Sequence, residues 1–303
     1  MTAARVLLFG ASGFVGHQVA EVLARDPRVG VLTRAGRGEV RDGWVRHDLV
    51  AAGPGELGWL LRHVRPDVVI NCTGKLAGTT TELVEANVRV TARLLDAVQS
   101  EAPAARLVVL GSAGEYGTVP HGQPVAEDDP QQPVADYGVT KLASTQLVRA
   151  AAAAERVDAV ALRVFNPIGP GLPVENLLGR AAERMRAAIA RDEDAIRLGP
   201  LGAYRDFVDV RDVATAITAA ALAGQVKEPV LNVGSGVAVK ARDVVGMLAE
   251  EAGFTGRVLE AAPAPARSSA VDWIAADVSR IQRTLGWAPT LDLRESVRAS
   301  WAA

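Results

Sequence analysis

The sequence predicts an α/β protein: a doubly wound parallel sheet followed by a smaller α/β lobe. Three observations carry that reading. A strand-like apolar run, Arg5-Val6-Leu7-Leu8-Phe9, enters a glycine-rich turn near the amino end. Short apolar runs then alternate with stretches of helical periodicity, the pattern of βαβ units. After Asn166-Pro167-Ile168-Gly169-Pro170-Gly171 the alternation breaks.

The elements follow in order. Beyond the glycine turn, Phe14, Val15, Val19, Val22 and Leu23 recur at helical spacing until Asp26-Pro27 ends the run. A second strand is expected at Val29 to Thr33, with further strands at Trp44 to His47, Asp67 to Asn71, Arg106 to Leu110 and Ala159 to Phe165. Helices are expected around Leu57 to His63, Thr80 to Ser100 and Tyr137 to Arg156. Pro120 to Pro133, with Glu127, Asp128 and Asp129, reads as a surface loop. In the later part, helices near Glu175 to Ala190, Val210 to Ala223 and Ala241 to Ala252 are separated by short strands.

Composition narrows the function classes. The 303 residues are 49% hydrophobic and 22% charged, with 33 basic against 35 acidic groups and a net charge of −2. That is an ordinary globular balance, and it speaks against disorder and against a nucleic-acid surface. The single cysteine, Cys72, closes no intramolecular disulfide, and His17, His47, His63 and His121 lack zinc-site spacing, so no metal is expected. No stretch of about 18 apolar residues predicts a membrane span. No signal-peptide run precedes the first strand, so the fold is expected to begin near Met1, in a reducing, cytoplasmic setting.

Gly10, Gly13 and Gly16 stand at three-residue intervals in Gly10-Ala11-Ser12-Gly13-Phe14-Val15-Gly16, between the first strand and the first helix. A pyrophosphate approaches backbone only where side chains are missing, and the helix start offers free N–H groups. The alternative is a turn that merely needs glycine. At the end of the second strand, a carboxylate favours NAD and an arginine accommodates the 2′-phosphate of NADP. The chain reads Leu32-Thr33-Arg34-Ala35-Gly36-Arg37, with no acid until Glu39. This favours NADP(H) over NAD(H), with Arg34 leading and Arg37 second; the competing reading makes both solvated surface arginines.

Tyr137 and Lys141 lie four residues apart, hence one turn apart on one helix face. A nearby ammonium favours the phenolate and brings the phenol toward a working range for acid–base chemistry on a carbonyl or alcohol. The chain has only four lysines and three tyrosines, so this spacing is rarely a coincidence. Ser112 follows the Arg106 to Leu110 strand, at the end of a sheet strand where open α/β folds bind ligands. No G-x-S-x-G elbow surrounds Ser112, which disfavours a serine hydrolase.

Together these residues resemble the extended short-chain dehydrogenase/reductase family of nucleotide-sugar epimerases, dehydratases and reductases, with a Rossmann-type sheet. The resemblance implies a dinucleotide-binding domain over 1–165, to which 206–224 returns, and a substrate lobe over 166–205 and 225–303. It implies Ser112, Tyr137 and Lys141 as the catalytic set, Lys141 also holding the nicotinamide ribose. Cofactor contacts would come from Gly10, Ser12, Gly13, Phe14, Val15, Gly16, Arg34 and Arg37, from Asp48-Leu49 at the adenine, and from Cys72, Thr73 and Asn87. Asn166, Asn176 and Arg205 would meet the sugar or diphosphate; loop capping or a structural arginine pair is the alternative for the last two. Leu285-Gly286-Trp287-Ala288-Pro289 is similar to the family's carboxy-terminal signature. A homodimer pairing the Thr80 to Ser100 and Tyr137 to Arg156 helices is implied as well.

The family's 4,6-dehydratases carry an Asp-Glu pair after the catalytic hydroxyl; here those slots are Ala113 and Gly114, with Glu115 one position late. That points away from dehydration. A net reductase exchanges NADPH, whereas an epimerase keeps NAD, so Arg34 points to reduction of a nucleotide-linked 4-keto-6-deoxyhexose. The alternatives are an NAD-dependent nucleotide-sugar epimerase and a non-catalytic NADP-sensing regulator. The segment Arg267-Ser268-Ser269-Ala270-Val271-Asp272 lacks the tight arginine-proline-acid spacing that often marks the nucleotide subsite, leaving the base open.

Overall fold

The computed structural model describes residues 3–38, 42–263 and 270–302; Glu39 and Arg267 to Ser269 lie outside them. The first half builds β1 (Ala4–Phe9), α1 (Phe14–Arg25), β2 (Val29–Gly36), β3 (Trp44–Arg46), α2 (Pro54–Val64) and β4 (Val68–Asn71). Then come α3 (Thr80–Leu83), α4 (Val90–Glu101), β5 (Arg106–Ser112), α5 (Asp136–Ala153) and β6 (Ala159–Val164). The second half adds β7 (Asn166–Ile168), α6 (Leu177–Arg191), β8 (Ala195–Arg197), β9 (Tyr204–Asp209), α7 (Val210–Leu222) and β10 (Val230–Val233). It ends with β11 (Ala238–Lys240), α8 (Ala241–Ala252), β12 (Arg257–Leu259), α9 (Ser279–Leu285) and α10 (Leu293–Ala302).

Seven strands form one sheet in the order β10-β6-β5-β4-β1-β2-β3, every pairing parallel. The chain winds outward both ways from the β1/β4 pair, so the crevice lies beyond their carboxyl ends. The central strands read apolar on both faces because both are covered: Val6 and Leu8 pack toward α1 and α7, Leu7 and Phe9 toward α2 and α4. Each such fully buried aliphatic side chain contributes about 1.5–3 kcal/mol.

Helix α7 is capped by Asp209, whose side chain accepts from Arg211 N at 2.8 Å. Val213, Ala216, Ile217 and Ala220 of α7 meet Val19, Ala20 and Leu23 of α1 in one core. The sheet also takes β10, which falls in the segment assigned above to the smaller lobe. Its four residues are all buried and extend β6 in parallel register, and Asn232 N donates to Glu127 Oε1 at 2.8 Å. Trp287 is buried beside the same helix, its Nε1 donating to Thr215 Oγ1 at 2.9 Å. A second core joins α6, α8 and α10 around Met185, Leu198 and Leu248. Among the described residues no helix is long and apolar enough to cross a membrane.

Two local features differ from the sequence expectation. Strand β2 runs on to Gly36, pairing there with β3. The expected Thr80 to Ser100 helix is interrupted over Val84–Arg89 by a π-turn, a form that often marks functional sites.

Candidate active site

The glycine turn is shaped by close approach. Gly10 has φ +80°, and a Cβ there would stand 2.9 Å from the Cys72 carbonyl carbon. A Cβ on Gly16 would strike Gly10 O at 2.0 Å, so α1 lies directly on the turn. Gly13 caps α1 without a side chain, and the first turn of α1 carries no acid. Gly13, Phe14 and Val15 line a cleft of about 670 Å³. A bare helix start opening on a cleft fits the phosphates of a dinucleotide. Ser12 is exposed at the tip of this turn.

Arg34 is half-buried on β2, opposite Trp44 of β3, its Nη1 lying 3.3 Å from where a Gly43 Cβ would be. Arg37 is exposed beyond the strand. Among the described residues neither guanidinium has a carboxylate partner. Asp48 Oδ1 accepts from Val50 N at 2.9 Å and Ala51 N at 3.2 Å, which leaves Oδ2 outside the turn. Leu49 is buried in the core.

At the other end of the turn, Cys72, Thr73, Gly74 and Lys75 line the cleft. Burial pushes the Cys72 thiol up to about 12, against the opposing charge of Lys141, so it remains a neutral neighbour. Asn87, in the π-turn, is buried. Its amide donates to Lys75 O at 3.0 Å and Thr140 Oγ1 at 3.1 Å, and its Oδ1 accepts from Lys75 N at 2.9 Å. Both amide hydrogens are thus spent on protein groups, and Asn87 ties the β4 loop to α5.

Ser112, Tyr137 and Lys141 line one wall. A Cβ on Gly114 would stand 3.5 Å from Ser112 Oγ and 3.7 Å from the Tyr137 ring carbons Cδ1 and Cε1, so the two side chains flank one small gap. Gly138 lets α5 approach, since a Cβ there would stand 2.3 Å from Gly114 O. Ser112 Oγ accepts from Gly114 N at 3.1 Å, which leaves its hydrogen to donate elsewhere. Lys141 is buried and donates to Leu110 O. Its ammonium is pushed below the usual lysine range by burial, opposed by the Glu115 charge. Tyr116 is fully buried, with its hydroxyl bonded to Asn232 Oδ1 at 2.7 Å, and neither it nor Tyr204 lines this cleft.

Asn166, Asn176 and Arg205 also line the cleft. Asn166 Nδ2 donates to Asp206 O at 2.9 Å, and Asn176 stands at the amino end of α6. Arg205 donates to Tyr204 O at 2.8 Å and Val271 O at 2.6 Å, so part of its fork is held by backbone. Burial lowers its guanidinium, with Asp272 opposing.

Two groups escaped the sequence reading. Arg180 and Arg184, one turn apart on α6, line the cleft half-buried, and among the described residues their guanidinium groups have no partner. Their i, i+4 spacing after Asn176 was the available signal. Glu115 and Arg163 form a fully buried pair at 2.7 Å behind Ser112. The signal for it was an arginine inside the otherwise apolar strand Ala159–Val164.

Comparison with known proteins agrees with this architecture. A dTDP-6-deoxy-L-talose 4-dehydrogenase (NAD(P)(+)) of Kitasatospora kifunensis is 41% identical over 304 residues, covering 99% of this chain and 95% of that protein. The solved structure of MoeE5 in complex with UDP-glucose and NAD aligns at a TM-score of 0.83 and 29% identity, over 98% of this chain and 97% of its own. That of RMD from Pseudomonas aeruginosa complexed with NADPH aligns at 0.82 and 25%, over 98% of each. Residues 6–234 match the NAD dependent epimerase/dehydratase family, and with that match and a relative 41% identical over nearly its whole length, the chain belongs to that family as an NAD(P)-dependent oxidoreductase of the extended short-chain dehydrogenase/reductase type.

Proposed function

We propose that the chain reduces the 4-keto group of a nucleotide-linked 4-keto-6-deoxyhexose with NADPH. The observation that carries this is the composition of the wall beside Tyr137. Ser112 and Tyr137 provide a donor and an acid for a carbonyl oxygen, while Ala113 and Gly114 offer no acid–base pair to eliminate water. Glu115, the nearest carboxylate in sequence, is fully buried, its oxygens taken up by Arg163 Nε, Ser112 N and Thr145 Oγ1. The 41% relative's name describes oxidation at C4 of a 6-deoxyhexose on thymidine diphosphate, the reverse of this reduction.

The turn Gly10 to Gly16 and the start of α1 would hold the dinucleotide, with Arg34 and then Arg37 at the 2′-phosphate. When bound, the nicotinamide supplies the hydride that C4 accepts. The chain's own residues do the rest. Ser112 donates its free hydrogen to the carbonyl oxygen and fixes it; Tyr137 gives that oxygen its proton. Lys141, held by Leu110 O near Gly74, keeps positive charge on the cofactor side of the wall.

The assay is consumption of NADPH or NADH with a thymidine- or guanosine-diphosphate 4-keto-6-deoxyhexose. Turnover that prefers NADPH is expected, and Arg34→Glu should reverse that preference by about tenfold, the worth of about one charge-assisted contact. NAD retained through purification, with interconversion of 4-epimers and no net cofactor use, would establish the epimerase instead.

Arg180 and Arg184 extend the reading to the substrate's anion. Two partly buried guanidinium forks without carboxylate partners among the described residues suit a diphosphate. Arg180→Ala and Arg184→Ala are each expected to raise the KM for the nucleotide sugar by about tenfold, leaving the Kd for NADPH unchanged. An unchanged KM in both variants removes them from the substrate site.

A further inference from the structure

We propose that Glu115 is a positioning residue: its carboxylate holds the Ser112 hydroxyl in register with the helix that carries Tyr137 and Lys141. The inference rests on the proposed function for its kinetic readout and on geometry for the rest.

Three elements converge on this one carboxylate. Oε1 accepts from Ser112 N at 2.8 Å and from Thr145 Oγ1 at 2.9 Å, and Oε2 accepts from Arg163 Nε at 2.7 Å. Thr145 follows Lys141 by four residues and Tyr137 by eight, so it lies on the same face of α5. Arg163 stands directly across from Gly111 in the β5/β6 register. A Cβ on Gly111 would lie 2.6 Å from Glu115 Oε1, so the strand is bare where the carboxylate passes behind it.

The anchor itself is anchored. Arg163 Nη1 donates to Tyr116 Oη at 3.0 Å and to Glu127 O at 2.9 Å, and the guanidinium lies 4.8 Å from the Tyr116 ring centroid. Glu115 therefore has little freedom to swing. Ser112 is bound on both sides of its Cα, its N–H to Glu115 and its Oγ from Gly114 N, which sets the direction of the free hydroxyl hydrogen. A fully buried ion pair is weak evidence for stability, since well-packed apolar residues often do as well. Its placement behind Ser112, whose hydroxyl lies on the reacting wall, gives it a different role: small displacements of a reacting group cost large factors in rate.

Thr145→Val removes one of the three donors and keeps the shape of the side chain; Glu115→Gln removes the charge. Each is measured alone and in a Ser112→Ala background. The expected result is a fall in kcat of about threefold for Thr145→Val and about tenfold for Glu115→Gln, with KM and the Kd for NADPH held within about twofold, and no further loss once Ser112 is gone. Folded Thr145→Val with native kcat, or equal losses in both backgrounds, would overturn the proposal. Crystal structures of the two variants supply an arm without activity: Ser112 Oγ should shift relative to the Tyr137 ring, and an unshifted Oγ in folded Thr145→Val overturns the proposal even where Glu115→Gln fails to fold. If the native chain turns over no nucleotide 4-keto sugar, the proposed function falls, while the displacement of Ser112 still decides this inference.

Discussion

Tyr137→Phe is expected to lower kcat by about 10²- to 10⁴-fold, the range for loss of a positioned general acid. NADPH should still bind, with a Kd within about twofold of native by fluorescence titration, because the phenyl ring keeps the packing beside Gly114. The distinction matters because Ser112 alone can still polarise the carbonyl. Tyr116, the next tyrosine in sequence, offers no substitute: it is fully buried, its hydroxyl bonded to Asn232 and Arg163, and burial raises its phenol. A Phe variant with native turnover would show that the proton comes from elsewhere.

Arg163→Met carries the second large effect, this time on stability. It leaves Glu115 as a carboxylate buried away from water and stripped of its ion-pair partner Arg163, a loss of about 3–5 kcal/mol. Two further acceptors, Tyr116 Oη and Glu127 O, lose a donor with it. Urea unfolding reads this as a fall in midpoint at constant slope. Arg163→Met combined with Glu115→Leu should recover most of the loss, since the charge that went unpaired is gone. A single variant as stable as the native chain would mean that water or a neighbour solvates Glu115.

The contrast between these two sites shows what sequence could reveal. Gly10, Gly13 and Gly16 were legible because their constraint is local: turn, helix start and strand end fall within seven residues. Tyr137 and Lys141 were legible for a similar reason, since helical geometry alone puts them on one face. Glu115 and Arg163 are 48 residues apart and meet only because β5 and β6 are neighbours in the sheet. Arg163 could be flagged as a charge in an apolar strand, but its partner could not. Arg180 and Arg184 are two among many arginines in this chain, and it is the cleft beside α6 that sets them apart. Asn87 was located from resemblance, and its bonds to Lys75 and Thr140 show it bracing two elements. Strand β10 followed α7 back to the large sheet because a buried strand needs an edge to pair with, a demand no local pattern expresses.

The gap at Gly114 has a wider consequence. A Cβ there would make only ordinary contacts with Ser112 and Tyr137, so the backbone leaves room for a side chain that the chain does not use. Nothing steric forces that position to be bare. A different side chain at this one turn would change what the cleft presents beside Ser112 and Tyr137, while the sheet and the glycine turn stay as they are.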